Sequence, residues 1–435
     1  MRLSTKLMRL ALAPLTLVVL FFIFDAVIPY VIRQADLFEM PVVSWRPKMG
    51  LREYYIAFRY YFFSILLISI GYFVGARLGS LGFKVIGDLR SFRGVSRGRT
   101  WTLLFFSFLV CLFLFMLKTW QYGSWGEVFE KRWLGKSDGV YSGPIDFVRS
   151  LAIELVFICV GILIFSRHST ALGLSSFVAI LIGWITASTT LSRGTQIGFF
   201  LGLMAMFAHD PLYLKRIPTR KAMPLHFFLA SAVICGLISF VGYGVIRQKS
   251  YTVSVVQDET FEIIDAVKSN LLQFVRGDGL DGLTAILYHY DSKCVFLNGR
   301  TIIDSLLLPI PRLLWAEKPS WYGIDTITRA MGWPTTTQSA VTIAGEGYAN
   351  FGPVGIGLAL ILGGVLGVMA HLRKVMPFMA IYCFVLLPGI FTTMWMSTIG
   401  FINSYFRVPI LAVVVMLCCW RKKTQKVSCY PINGQ

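Results

Sequence analysis

The chain has 435 residues, of which 56% are apolar, 15% aromatic and 14% charged, with a formal net charge of +19. Soluble proteins carry about 25% charged residues, and the apolar residues here arrive in blocks of about 20, too long for the core elements of a globular domain. These figures exclude a soluble enzyme, a secreted disulfide scaffold and a disordered chain, and they predict an all-α polytopic integral membrane protein.

Hydropathy predicts about ten transmembrane helices, over 10–31, 57–76, 101–117, 146–166, 170–190, 194–208, 226–246, 352–370, 376–396 and 404–420. The first has a basic start, a run too long for a signal-peptide core and no small-x-small cleavage site, so it reads as a retained span. With the N-terminus inside, the inner segments carry 20 of the 41 basic residues against two acids, Asp88 and Asp210. That bias toward one side fixes the orientation and puts both termini in the cytoplasm. The clusters Arg90, Arg93, Arg97, Arg99 and Lys215, Arg216, Arg220, Lys221 suit the anionic headgroups of membrane lipids, not nucleic acid.

The spans divide the chain into an N-terminal bundle (1–246), one large loop (247–341), a C-terminal group of about three spans (342–420) and a basic tail (421–435). Structureless loops beyond about 12–15 residues are uncommon and usually functional. By the charge argument this one is on the outer face. Within it, Phe261, Ile264, Val267, Leu271 and Phe274 recur at helical spacing. Ile302 to Trp315, broken by Pro309 and Pro311, is too short to span and is expected at the interface or as a re-entrant piece. Two predicted spans have small-residue faces, Gly194/Gly198/Gly202 and Gly355/Ala359/Gly363/Gly367, which let helices approach closely in lipid. Cys294 is the one cysteine expected outside, and no Cys/His cluster has zinc-ligand spacing.

Ionisable residues at the outer membrane face are the first candidates for chemistry. An unpaired charge at mid-membrane costs ~2.5–3.5 kcal/mol or more, so each should face protein or water. Arg193 sits in a turn of about three residues between two spans. Its guanidinium is a planar fork suited to phosphate or pyrophosphate. Arg407, Arg149, Glu154 and Asp25 lie in the outer parts of their spans, where snorkelling or local ion pairing is the competing reading. The loop adds three stretches: Phe-Val-Arg-Gly-Asp-Gly-Leu-Asp-Gly (274–282), Ile-Pro-Arg-Leu-Leu-Trp-Ala-Glu-Lys-Pro (310–319) and Gly-Glu-Gly-Tyr-Ala-Asn-Phe-Gly-Pro (345–353). If 342–350 is helical, Glu346 and Asn350 share one face a turn apart. Pro353 then suits the first turn of the next helix.

These stretches, in this order, together with the Ser-Arg-Gly turn at 192–194, resemble the Wzy-type oligosaccharide repeat-unit polymerases of O-antigen and capsule synthesis. The resemblance covers about Arg276 to Gly367. It implies a GT-C-like glycosyltransferase of the bacterial inner membrane, with its active face in the periplasm. Such an enzyme transfers a growing glycan from undecaprenyl pyrophosphate to a new lipid-linked repeat unit. It implies lipid-linked oligosaccharide donor and acceptor as partners, alongside a chain-length regulator and a flippase. Arg193, Arg276, Arg312 and Glu346 are the residues it places at the site.

Displacing a lipid pyrophosphate builds negative charge that fixed cations stabilise. That role is expected first of Arg193 and Arg276, then of Arg312 and Arg407. Lys318, Tyr348 and Asn350 complete the expected substrate-binding set, although interface anchoring competes with sugar stacking for Tyr348. The acceptor hydroxyl needs a base: Glu346 is the first candidate, then Asp281 and His289. Glu346 bonded to backbone amides is the structural alternative. No cofactor and no metal are expected, since the outer acids lack ligand spacing and arginines can replace a cation at a diphosphate. An O-antigen ligase and a lipid-linked oligosaccharide flippase or transporter are the competing functions.

Overall fold

The computed structural model describes residues 10, 13–35, 49–85, 95–122, 144–165, 174–189, 193–209, 278–293, 295–307, 324–332, 341–373, 378–402, 405 and 407–419. Among them there is no strand, and nearly all of these described residues are helical. That is the expected outcome for apolar segments in lipid, where a helix satisfies its own backbone groups. The helices are α1 (Pro14–Gln34), α2 (Leu51–Val85), α3 (Arg97–Tyr122), α4 (Pro144–Phe165), α5 (Leu174–Thr189) and α6 (Arg193–His209). After the large loop's α7 (Asp278–Lys293), α8 (Arg300–Leu306) and α9 (Ile324–Ala330) come α10 (Thr342–Phe351) and α11 (Gly357–Leu372). A long α12 (Phe378–Ile381, Tyr382–Leu386 and Leu387–Phe401) and α13 (Arg407–Cys419) complete the order.

Helices thus underlie nine of the ten ranges that hydropathy marks, and the range 226–246 lies outside the described residues. Among the described residues, four stretches are long and apolar enough to cross a membrane: Pro14–Gln34, Leu51–Leu81, Arg97–Leu117 and Thr342–Leu372. The last is not one rod. At Gly352 the backbone adopts φ 62°, ψ −146°, a conformation essentially restricted to glycine. The 3₁₀ segment Gly352–Ile356 then folds back so tightly that the backbones of Gly347 and Gly355 touch, and a Cβ on either would overlap the other's carbonyl.

Two helices contain a π-turn, Ile23–Val27 in α1 and Tyr382–Leu386 in α12, and each is followed within two residues by proline, Pro29 and Pro388. Proline cannot donate to the carbonyl four residues back and its ring crowds that carbonyl. Widening by one i→i−5 bond, Ile28 N–H to Ile23 and Leu387 N–H to Tyr382, lets the helix pass the proline without breaking.

The closest packing is between α2 and α11, which run parallel. Gly363 lies against the Ile68 carbonyl and Gly367 against that of Tyr72, while Gly71 and Gly75 meet the backbone of Leu360 and Gly364. The Gly363 and Gly367 part of the small-residue face therefore finds its partner inside the chain, on α2, which brings Gly71, Gly75 and Gly79 at the same four-residue spacing to the neighbouring positions of α11, while Gly355 packs on Gly347. On α6, Gly198 and Gly202 accept Pro388 and Phe384 of α12. Small residues let backbones approach to Cα–H···O distance, which in lipid replaces the missing hydrophobic drive. Gly75→Ala or Gly363→Ala should push α2 and α11 apart and cost about 1–3 kcal/mol as overpacking. Gly357→Ala, whose Cβ meets nothing within 4 Å, should be neutral or stabilising by up to ~1 kcal/mol. Thermal unfolding of the three variants in detergent checks the contrast.

Candidate functional site

Several described polar groups of the large loop are tied to the helices around them, Gly279 and Asp281 to α1 and Thr301 to α10. The centre of these contacts is α10. Glu346 is 1% exposed and is held on both oxygens. Oε1 accepts from the Thr301 hydroxyl at 2.6 Å, and Oε2 from the Thr398 backbone N–H at 2.7 Å. Asn350, one turn on, donates from Nδ2 to the Thr301 hydroxyl at 2.6 Å and to the Glu346 carbonyl at 2.8 Å, and its Oδ1 receives the Thr301 N–H at 3.4 Å. The i,i+4 spacing read from sequence is thus realised, and its target is Thr301 at the start of α8. Three elements, α8, α10 and α12, are joined through one buried carboxylate.

The break after α10, and Pro353 with no N–H to give the Ala349 carbonyl four residues back, leave carbonyls without a helical partner. Leu297 N–H donates to the Ala349 carbonyl at 2.9 Å and Asn298 N–H to that of Asn350 at 3.0 Å. Tyr60 of α2 points its hydroxyl at the carbonyls of Gly352 (3.5 Å) and Pro353 (3.4 Å). At the other end of α10, the Thr342 hydroxyl accepts the Gly345 N–H at 3.1 Å, as an N-cap does. Thr342 has φ 56°, costly for a β-branched residue and held by its surroundings.

The start of α7 is fixed on α1. Asp25, in the π-turn, accepts the Gly279 N–H at 3.1 Å and the Tyr61 hydroxyl at 3.3 Å. Two turns further along α1, Arg33 forms a mostly buried ion pair with Asp281, and its guanidinium lies 4.5 Å from the centroid of Tyr54. Asp281 is thereby engaged. Beyond it, α7 packs on α10: the space that a Gly345 Cβ would occupy is filled by Ile286 and Leu283.

At the far end of α7, His289 is partly exposed. Burial, then the nearby Lys293, lowers its pKa below the usual value, and a hydrogen bond to the Ala330 backbone partly offsets this. The lowered pKa favours the neutral imidazole, hydrogen-bonded to the Ala330 backbone, the form that can accept a proton. Tyr348 packs edge-on to Tyr60 at 5.4 Å and to Phe296 at 6.1 Å, with its hydroxyl 3.5 Å from Asp291. At 7% exposure its ring faces protein and is not a stacking platform.

Glu346, Tyr348 and Asn350 therefore lie on α10 and Asp281 and His289 on α7, which packs against it. Arg193 opens α6 and Arg407 opens α13, and their side chains lie outside the described set, as do Arg276, Arg312 and Lys318 entirely. Arg149 donates to the Thr189 carbonyl, linking the ends of α4 and α5. Sequence reasoning missed Arg33, Tyr60, Tyr61, Thr301 and Thr398. For Arg33 a signal existed: it lies eight residues, about two turns, beyond Asp25 on one apolar helix. No protein-family model, curated protein or solved structure matches the chain.

The Glu346 network has a stability signature. In Glu346→Gln the new amide and Asn350 both point donors at Thr301, and the Thr301 hydroxyl loses its acceptor. A loss of about 1–3 kcal/mol is expected. Thr301→Val should cost a similar amount and Thr301→Ser much less, read as melting midpoints of the purified protein.

Proposed function

We propose that this chain is a glycosyltransferase acting on lipid-linked oligosaccharide, of the repeat-unit polymerase kind. One observation carries the reading. The first stretch that resembles that family (274–282) runs into α7 and the third (345–353) makes up most of α10 and its break; although these helices are far apart in sequence they pack on each other, Gly279 against Thr342 and Leu283 and Ile286 against Gly345. The apolar helices fit a substrate delivered in the membrane, and the arrangement of basic residues fits an inner-membrane protein of about ten spans with the large loop outside.

In the proposed reaction a hydroxyl of the incoming repeat unit attacks the anomeric carbon of the growing glycan. The bond from that carbon to the pyrophosphate oxygen breaks, and the lipid pyrophosphate leaves with the electron pair. Arg193, Arg276, Arg312 and Arg407 are assigned to the departing negative charge. The hydroxyl proton passes to a base. Glu346 is enclosed by Thr301 and Thr398 and Asp281 is engaged by Arg33, so the assignment moves to His289, which is partly exposed, neutral and oriented through Ala330. Glu346 becomes the residue that holds the broken helix.

A deletion strain complemented with wild type or Arg193→Ala tests the reaction. A surface-glycan ladder that collapses to single repeat units on lipid A core, restored by wild type and not by the arginine variant, is the expected result. Loss of all capped core, with lipid-linked polymer accumulating, would establish a ligase instead.

His289 makes a separate claim about pH. A base with a lowered pKa remains active as the pH falls through 6.5 and loses activity only when it is protonated at lower values. Its contribution to stability has the same sign, fully present above the unfolded-state value of 6.5 and lost as the pH falls from there through the lowered folded-state value. His289→Gln should lower turnover by roughly 10²–10⁴-fold and remove the acidic limb of the rate profile. A profile unchanged in the variant would return the role to another residue.

A further inference from the structure

The contacts that seat α7 on α1 have a chemistry of their own. The Gly279 N–H belongs to the first turn of α7 and has no acceptor within its own helix. Asp25, from a different helix, supplies one at 3.1 Å, so a carboxylate caps α7 in trans at the positive end of its dipole. The fit requires glycine: a Cβ at position 279 would occupy the place of Asp25 Oδ2. The π-turn around Pro29 contributes the geometry, since Asp25 lies within the widened segment. Two residues along α7, Asp281 closes on Arg33, whose other face is covered by Tyr54. A carboxylate cap and a mostly buried ion pair therefore define both the height and the rotation of α7. Through Leu283, Ile286 and the contact of Gly279 with Thr342, α7 in turn seats α10. His289 is at the distal end of the same rigid helix, about 12 Å from Asp281 at 1.5 Å per residue.

We propose that Asp25 and Arg33 are positioning residues for the transfer reaction: they lock the rotation and height of α7, and so aim His289 and seat α10. The proposal rests on the glycosyltransferase reading above. Neither residue touches substrate in it. Both act through a helix whose registration on α1 would otherwise depend on apolar contacts that permit sliding.

The experiment uses the full-length protein in lipid nanodiscs with purified lipid-linked repeat units. The variants are Arg33→Glu, Asp281→Arg, the double exchange and Arg33→Lys, with Gly279→Ala as the steric probe of the cap. Each single reversal should lower kcat about tenfold or more per folded protein. It should also shift the acidic limb of the rate–pH profile, because His289 leaves its carbonyl partner. A loss of folded protein alone would lower the amplitude and leave that limb in place. The double exchange should restore both rate and limb, and Arg33→Lys should retain them. Single reversals that turn over like wild type would overturn the proposal, as would a folded double exchange that stays as slow as the single variants. If a single reversal fails to accumulate, the double exchange and Arg33→Lys, which keep the pair, decide by the same two readouts. Wild-type protein that polymerises nothing would overturn the functional reading and this proposal together. Active wild type with indifferent variants would overturn this one alone.

Discussion

A helix interrupted among apolar neighbours creates backbone carbonyls with no water to satisfy them, and each must find a donor in the protein. The arrangement around α10 follows from that requirement. The stranded carbonyls of Ala349 and Asn350 recruit the N–H groups of Leu297 and Asn298, and those of Gly352 and Pro353 recruit Tyr60. Those contacts draw the 295–300 segment onto the bundle, which delivers Thr301 to Glu346 and Asn350. Glu346 then reaches the Thr398 amide and ties in α12. Without the glycine at 352, whose backbone conformation other residues resist, the chain would continue as a straight helix and the polar group would have nothing to converge on.

The same economy explains the two carboxylates at the contact of α1 with α7, Asp25 on the first and Asp281 on the second. A charged group in a predominantly apolar bundle is tolerable when its hydrogen-bonding capacity is taken up by protein donors. Asp25 meets this with a backbone N–H and a tyrosine hydroxyl, Asp281 with a guanidinium that is itself backed by an aromatic ring. The polar region is thus largely a set of joints between elements. His289, near the margin of this region and only partly covered, has a different character.

Legibility from sequence followed the range of the interaction. Apolar periodicity is local, and helices lie beneath the ranges it marked wherever the chain is described. The spacing of Glu346 and Asn350, and Pro353 after Gly352, were readable because a helix turn and a proline's preference are also local. The identity of their partners was not. Nothing near Thr301 or Thr398 marks them as the hydroxyl and amide that hold Glu346, and the pairing of Arg33 with Asp281 joins positions 248 residues apart. The π-turns were hidden for another reason: a proline within an apolar run announces a disturbance without saying whether the helix kinks, breaks or widens. The face of glycines and alanine on α11 was seen, but its partner on α2 was not, since Gly71, Gly75 and Gly79 lie in a helix whose composition is otherwise unremarkable.

The pairing of α2 with α11 has a consequence for biosynthesis. Gly75 and the Gly364 it touches are separated by 289 residues of chain. At ribosomal rates of about 5–20 residues per second, α2 emerges roughly 15–60 s before its partner exists. Throughout that interval its glycine groove is a sticky surface in the bilayer, open to any other helix with a small-residue face. The α2–α11 contact can close only after α11 has been made.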